Sequence, residues 1–117
     1  MSATTTISTH VLDTAFGIPA SGVDVTFERV ASDGTTSPIS HGTTNTDGRV
    51  SQLVPADSAI TPGTYRLTFD VVAYFAETRR QTFYQTIRIE FEVGAEPQHY
   101  HVPLLLSPFG YSTYRGS

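Results

Sequence analysis

Several residue types that often explain a protein's function are absent from this chain. Its 117 residues include no cysteine, which excludes disulfides and thiolate chemistry and leaves the redox compartment undetermined. They include no lysine either, and the formal net charge is −4. The only adjacent pair of basic residues is Arg79-Arg80. Binding to nucleic acid depends on a basic surface that neutralises phosphates, so we predict no nucleic-acid partner.

Long apolar segments and several common catalytic motifs are missing as well. No apolar run approaches the roughly 18 residues that a membrane-spanning helix needs, so we predict no membrane association. Residues 1–7 carry neither a basic flank nor an apolar core of signal-peptide length, which leads us to expect a cytoplasmic protein. The sequence also lacks a Gly-x-Ser-x-Gly motif, a phosphate-binding glycine loop and a local pair of catalytic carboxylates.

Short segments that alternate apolar and polar residues dominate the chain. In the clearest of them, Ile87, Ile89 and Phe91 alternate with polar neighbours. Successive side chains of a strand point to opposite faces, so this period is typical of strands with one buried face. The predicted strands are 4–13, 23–30, 39–46, 49–51, 64–71, 86–93 and two more within 99–117.

The remaining segments favour turns and one short helix. Glycine and proline predict a loop at 14–22, and 72–81 is the only segment that suits a helix. We therefore predict one all-β domain over 1–117, an antiparallel sandwich. An immunoglobulin-like adhesion module is the competing topology, but its cysteine pair and buried tryptophan are absent. A domain of this size has little room for a deep private pocket, so we expect any large site to be shared between subunits.

The C-terminal residues 99–117 are apolar and aromatic where most chains end in polar residues. The strand period places His99 and His101 on one face. Pro103 cannot donate a hydrogen bond to a neighbouring strand, which predicts an edge or a bulge there. A turn at 108–110 returns the chain alongside this strand, and Ser117 is thereby expected near the imidazoles.

The histidines and arginines allow more than one interpretation. His99 and His101 with His10 as a third ligand would suit a catalytic zinc ion. The same rings could serve as acid–base groups near neutral pH, or could simply be exposed or packed. Arg49 follows an Asp-Gly turn and is either a solvated strand end or a donor that stabilises an oxyanion.

The end of the chain is similarly open to interpretation. Ser117 could be a nucleophile or a hydrogen-bond partner of a histidine, and the missing nucleophile motif favours the second. Tyr114 either packs in the sandwich or faces the same space as the imidazoles. Arg115 either contacts a ligand or anchors the tail by ion pairing.

Three segments give the chain a resemblance to a known family. They are Ser-Thr-His-Val-Leu-Asp at 8–13, Thr-Asp-Gly-Arg-Val at 46–50, and the His-Tyr-His-Val-Pro-Leu-Leu-Leu-Ser run with its terminal Tyr-Arg-Gly-Ser. Across essentially its whole length the chain resembles 5-hydroxyisourate hydrolase, the transthyretin-related enzyme of urate breakdown. The resemblance implies a transthyretin-like (prealbumin-like) sandwich of two four-stranded antiparallel sheets with one short helix. The terminal tetrapeptide argues against the alternative function, a non-catalytic carrier of small ligands like transthyretin.

The resemblance also implies a set of site residues and an assembly. It assigns catalysis to His10, Arg49, His101 and Ser117, and substrate contacts to His10, Arg49 and Tyr114. It implies no metal and no cofactor, and a homotetramer with sites at the dimer–dimer interface. Water would open a C–N bond in the six-membered ring of 5-hydroxyisourate, giving 2-oxo-4-hydroxy-4-carboxy-5-ureidoimidazoline.

Our mechanistic hypothesis distributes the steps over this set. His101, held by Ser117, takes a proton from water. Arg49 stabilises the negative charge that grows on the attacked carbonyl. His10 positions the ring or protonates the leaving nitrogen. The sequence assigns no role to His99.

Overall fold

The computed structural model describes residues 4–117, so the start of the predicted domain at 1–3 lies outside the described residues. Nine strands and one helix occur in this part of the chain. They are β1 (Thr6–Asp13), β2 (Ile18–Pro19), β3 (Asp24–Val30), β4 (Thr36–Thr43), β5 (Arg49–Val50), β6 (Gly63–Asp70), α1 (Val71–Glu77), β7 (Thr86–Val93), β8 (His99–Ser107) and β9 (Gly110–Thr113).

The strands form two sheets, which confirms the predicted sandwich. The first sheet has the order β2-β1-β8-β9, with β5 also paired to β1, and the second has the order β4-β3-β6-β7. The structure differs from the expectation in the first sheet, which has five strands and a parallel pairing of β1 with β8. Strands β3 to β7 and the helix lie between these two strands in the chain, and such a long connection allows a parallel pair. The short strand β2 lies in the segment predicted as a loop.

The core lies between the two sheets and follows the period of the strands. Val25 and Phe27 on β3 and Leu67 and Phe69 on β6 are fully buried, as the alternation predicted. On the inner face of β1, Ile7, Thr9, Val11 and Asp13 are buried, and Ser8 is the one buried residue of the opposite face. Within residues 4–117 every fully buried side-chain nitrogen or oxygen has a hydrogen-bond partner. The alternate residues of β1, which include Thr6 and His10, lie on the face that points out of the sandwich.

The helix is shorter than predicted, because its end is shaped by a turn at Arg79. Asp70 caps the first turn by accepting a hydrogen bond from the Ala73 backbone N–H at 3.4 Å. Arg79 adopts a φ of 58°, and the Arg80 N–H then donates to Phe75 O at 2.9 Å. Within residues 4–117 no helix is long and apolar enough to cross a membrane.

The turn after α1 directs Arg80 towards Asp13, at the end of β1. The buried Asp13 carboxylate forms an ion pair with Arg80 and accepts hydrogen bonds from the Tyr74 hydroxyl at 2.7 Å and the Phe16 N–H at 3.0 Å. Burial opposes ionisation, but these hydrogen bonds outweigh it and lower the pKa of Asp13 below its usual range. Burial and the Asp13 carboxylate raise the pKa of Tyr74 to about 12.

The last two strands form the predicted hairpin, with Pro108 and Phe109 between them. Pairing of β8 with the tail is interrupted at Pro103, since the pairs on either side are Leu104 with Thr113 and His101 with Gly116. The register is the same on both sides of this gap, so no bulge forms. Pro103 instead occupies a central strand at the place where no N–H is needed.

Candidate active site

The outer face of the first sheet brings most of the predicted polar residues together. Alternate residues of β1, namely Thr6, Ser8 and His10, share this face. The parallel register sets Thr6 beside His99 and Ser8 beside His101. Two strands that are distant in the sequence thus contribute one continuous polar surface.

Arg49 reaches this surface through the turn that precedes it. Strand β5 pairs with β1 so that Arg49 lies directly opposite His10. The Asn45 side-chain oxygen accepts a hydrogen bond from the Arg49 N–H at 3.0 Å and closes the turn. Gly48 has a φ of 77°, and a Cβ there would lie 2.4 Å from Val11 O, so only glycine fits. The Asp-Gly turn of the sequence therefore fixes the position of the arginine.

Hydroxyl groups connect two of the histidines. The Ser8 Oγ lies 2.8 Å from His99 Nε2 and 2.7 Å from His101 Nδ1. The Thr6 Oγ1 lies 2.5 Å from His99 Nδ1. The two rings are nearly parallel, with centroids 6.4 Å apart and planes at 18°. Sequence reasoning gave Thr6 and Ser8 no role, although their shared face with His10 was visible in the strand period.

The surroundings of His101 favour its neutral form. Burial lowers the pKa of His101 below its ordinary value, and the charges of Arg49, His99 and His10 lower it further. A neutral imidazole at neutral pH can accept a proton, as a general base must.

Residues 4–117 contain no group of three or more His, Cys, Asp or Glu side chains placed to hold a metal ion, so the zinc interpretation lacks its ligand set.

The chain end lies against His101. The Gly116 N–H donates to His101 O at 2.8 Å, and a Cβ on Gly116 would lie 2.6 Å from Cδ2 of the imidazole. Arg115 donates to the Gln98 side chain at 2.6 Å and lies over the Tyr100 ring at 4.8 Å. Arg115 therefore anchors the tail, through a neutral hydrogen bond and a cation–π contact instead of the predicted ion pair.

Two predicted residues are less closely tied to this surface. Ser117 follows Gly116 but is exposed, and its hydroxyl has no hydrogen-bond partner within the described part of the chain. The partner of His101 Nδ1 is Ser8, where the sequence hypothesis had Ser117 holding the ring. Tyr114 is 57% exposed and lines a groove of about 340 Å³ beside β7. The lining of that groove includes none of the histidines and does not include Arg49.

Comparison with known proteins places the chain in a family. The model of the HIUase/Transthyretin family matches residues 7–116. A 5-hydroxyisourate hydrolase of Salmonella typhimurium is 45% identical over 111 residues, covering 95% of this chain and 80% of the relative.

Two solved structures have the same fold along nearly their full length. The 5-hydroxyisourate hydrolase of Klebsiella pneumoniae superposes with a TM-score of 0.83 at 36% identity, covering 97% of this chain and 99% of that one. Sea bream transthyretin in complex with thyroxine superposes with a TM-score of 0.86 at 30% identity, covering 94% of this chain and 93% of that one. Because a family match and relatives above 30% identity extend over almost the whole sequence, the chain belongs to the HIUase/Transthyretin family.

Proposed function

We propose that this protein hydrolyses 5-hydroxyisourate to 2-oxo-4-hydroxy-4-carboxy-5-ureidoimidazoline, a step of urate degradation. One observation carries the proposal: His10, Arg49 and His101 share the outer face of one sheet, with Arg49 directly opposite His10. The names of the Salmonella and Klebsiella relatives support it. A guanidinium beside two imidazoles can bind a small, carbonyl-rich ring and supply acid–base groups near neutral pH.

The proposed mechanism begins with proton transfer from water to His101. The water oxygen attacks the ring carbonyl, and Arg49 stabilises the negative charge on the carbonyl oxygen. The tetrahedral intermediate then releases the ring nitrogen as the C–N bond breaks. His10 protonates that nitrogen, or it orients the substrate for attack while the protonated His101 returns its proton to the nitrogen. Ser117 and Tyr114 contact the substrate from the tail, and no step uses a metal or cofactor.

The proposed assembly is a homotetramer that encloses the sites between its dimers. In the single chain Arg49 is open to solvent, and several large apolar side chains of the protein are exposed, among them Ile18 and Phe109. Covering such side chains favours association. A neighbouring subunit would also exclude water from the site, which strengthens its electrostatic interactions. We further propose a cytoplasmic protein whose single domain spans 1–117.

The decisive experiment follows the absorbance of freshly generated 5-hydroxyisourate. Wild-type protein is expected to accelerate its decay, and a chain lacking residues 114–117 is expected to lose most of that acceleration. Exhaustive chelation is expected to leave the rate unchanged. Binding of the compound without faster decay would favour a small-ligand carrier, and a chelation loss reversed by zinc would restore the metal interpretation.

A further inference from the structure

A chain of hydrogen bonds ends at His101, and its other three members have no role in the mechanism above. It runs from Thr6 through His99 and Ser8 to His101. The Ser8 side chain is its central link, since one oxygen lies within hydrogen-bond distance of a nitrogen in each ring. Ser8 is only 8% exposed, so solvent competes little for that oxygen.

Two arrangements let the Ser8 hydroxyl donate its hydrogen to one ring and accept a hydrogen bond from the other. A serine hydroxyl has one hydrogen and two lone pairs, so when it donates to one ring nitrogen it is free to accept from the other. If His101 carries its proton on Nδ1, that N–H donates to Ser8, and the Ser8 hydroxyl donates to His99 Nε2. In the reverse arrangement, Ser8 donates to His101 Nδ1, and His101 carries its proton on Nε2.

Only the first arrangement makes His101 a base. Ser8 occupies Nδ1, so Nε2 is the ring nitrogen left to act on a substrate or water. A neutral imidazole accepts a proton only at the nitrogen that carries no hydrogen. The proton must therefore reside on Nδ1, with the Ser8 hydroxyl directed to His99.

We propose that Ser8 is a positioning residue that holds His101 with its proton on Nδ1, and that His99 fixes the direction of the Ser8 hydroxyl by accepting its hydrogen. The effect on catalysis rests on the proposed function, whereas the tautomer is a property of the free protein. His99 thereby gains a role that needs no contact with the substrate. Thr6 completes the chain by accepting from the second nitrogen of His99.

The tautomer is tested without substrate by nitrogen-15 NMR of the histidine rings at about pH 8, above the usual imidazole pKa of about 6.5. We expect the Nδ1–H form of His101 to predominate in the wild type and to lose that predominance in Ser8→Ala. His101→Asn identifies the signals. A predominant Nε2–H form in the wild type, or the same tautomer in Ser8→Ala, would overturn the proposal.

Kinetics test the consequence for the reaction. Ser8→Ala is expected to lower kcat about 10- to 100-fold, part of what a general base contributes, with KM within about twofold. Ser8→Thr keeps the hydroxyl and is expected to recover most of the rate. His99→Gln retains an acceptor for Ser8 and is expected to stay active, whereas His99→Phe is expected to resemble Ser8→Ala.

A matched control separates this effect from general damage to the sheet. Ser112→Ala removes an exposed hydroxyl from β9 and is expected to leave kcat within about twofold of the wild type. Normal kcat in Ser8→Ala would refute the positioning role. If wild-type protein does not accelerate the decay at all, the proposed function fails, and the NMR result still decides the hydrogen-bond arrangement.

Discussion

Two arginines beside β1 show how differently the two faces of this strand use charge. Arg80 forms an ion pair with the buried Asp13, and its guanidinium lies 3.7 Å from the centre of the Phe16 ring. Arg49 lies opposite His10, is exposed, and its guanidinium has no hydrogen-bond partner within residues 4–117. The inner arginine is committed to the fold, whereas the outer one remains available to a ligand.

The difference follows from solvent. A buried carboxylate must be paired and hydrogen-bonded, because an unpaired charge in the interior is strongly destabilising. On the outer face, water solvates an unpaired guanidinium, so such a group is held there at little cost. A substrate or a neighbouring subunit that displaces this water can then use the charge. The two regions should accordingly respond to mutation in opposite ways.

The largest expected effect is on stability, at the inner face. Asp13→Ala leaves Arg80 and the Tyr74 hydroxyl without their partner and should lower the free energy of unfolding by about 3–5 kcal/mol. Urea denaturation measures the change. Asp57→Ala, at an exposed loop position, is the control and should stay within about 0.5 kcal/mol. A loss below about 1 kcal/mol in Asp13→Ala would mean that this cluster does not anchor the fold.

The same cluster should make stability sensitive to acid. The folded pKa of Asp13 is lowered relative to the unfolded value of about 3.9. Its contribution is therefore fully present above that unfolded pKa and is lost as pH falls through the folded pKa. Acid denaturation of the Asp13→Ala variant should lack the loss of stability that protonation of Asp13 causes in the wild type.

The outer face should respond in activity with little change in stability. Arg49→Ala and His101→Asn are each expected to lower kcat at least about 100-fold, or about 2.7 kcal/mol, while the assembly remains intact. Arg88→Ala on β7 removes another exposed arginine and should leave turnover unchanged. Near-normal turnover in both site variants would refute the assignment of these residues.

Local features of the fold followed from the sequence. The apolar–polar alternation of 86–93 predicted β7 with the bounds that the structure has. The strand period of β1 predicted that Ser8 and His10 share one face. These predictions succeed because the direction of a side chain depends only on its place along its own strand. The early end of α1 was missed, because Arg79 adopts a φ that few residues other than glycine favour.

Relations between distant strands did not follow from the sequence. The parallel register of β1 and β8 joins residues more than 90 positions apart, as Ser8 and His101 show. No local pattern specifies such a register, so the hydroxyl link between the rings went unrecognised. Only the family resemblance predicted that Arg49 and His10 belong to one site. The sequence around Arg49 suited a solvated strand end as well.

A smaller effect is expected where the tail contacts the outer face. Gly116→Ala would place a Cβ 2.6 Å from Cδ2 of His101, so the ring or the tail must shift from its present position. Displacements of about 1 Å in an active site can cost up to about 100-fold in rate, and we expect a loss of about tenfold in kcat. Gly110→Ala is the matched control in the same hairpin, because its added Cβ would lie 3.7 Å from the Ser107 Oγ. Equal activity of the two variants would show that the tail does not position the imidazole.

The smallest expected effect concerns the protonation of His101. Burial, Arg49, His99 and His10 lower its folded pKa below the unfolded value of about 6.5, so the acid limb of kcat/KM should have its midpoint below pH 6.5. Stability linked to this group is fully present above the unfolded pKa and falls as pH drops towards the folded pKa, because the unfolded chain binds the proton more readily.

Removing one cause separates it from the others. In Arg49→Ala, NMR titration of His101 should give a pKa above the wild-type value, since a nearby positive charge is gone. Burial remains and is the larger cause, so that pKa should still lie below about 6.5. An unchanged pKa in this variant would mean that the guanidinium does not act on the imidazole, and the outer face would then lack the electrostatic coupling that distinguishes it from an ordinary exposed sheet.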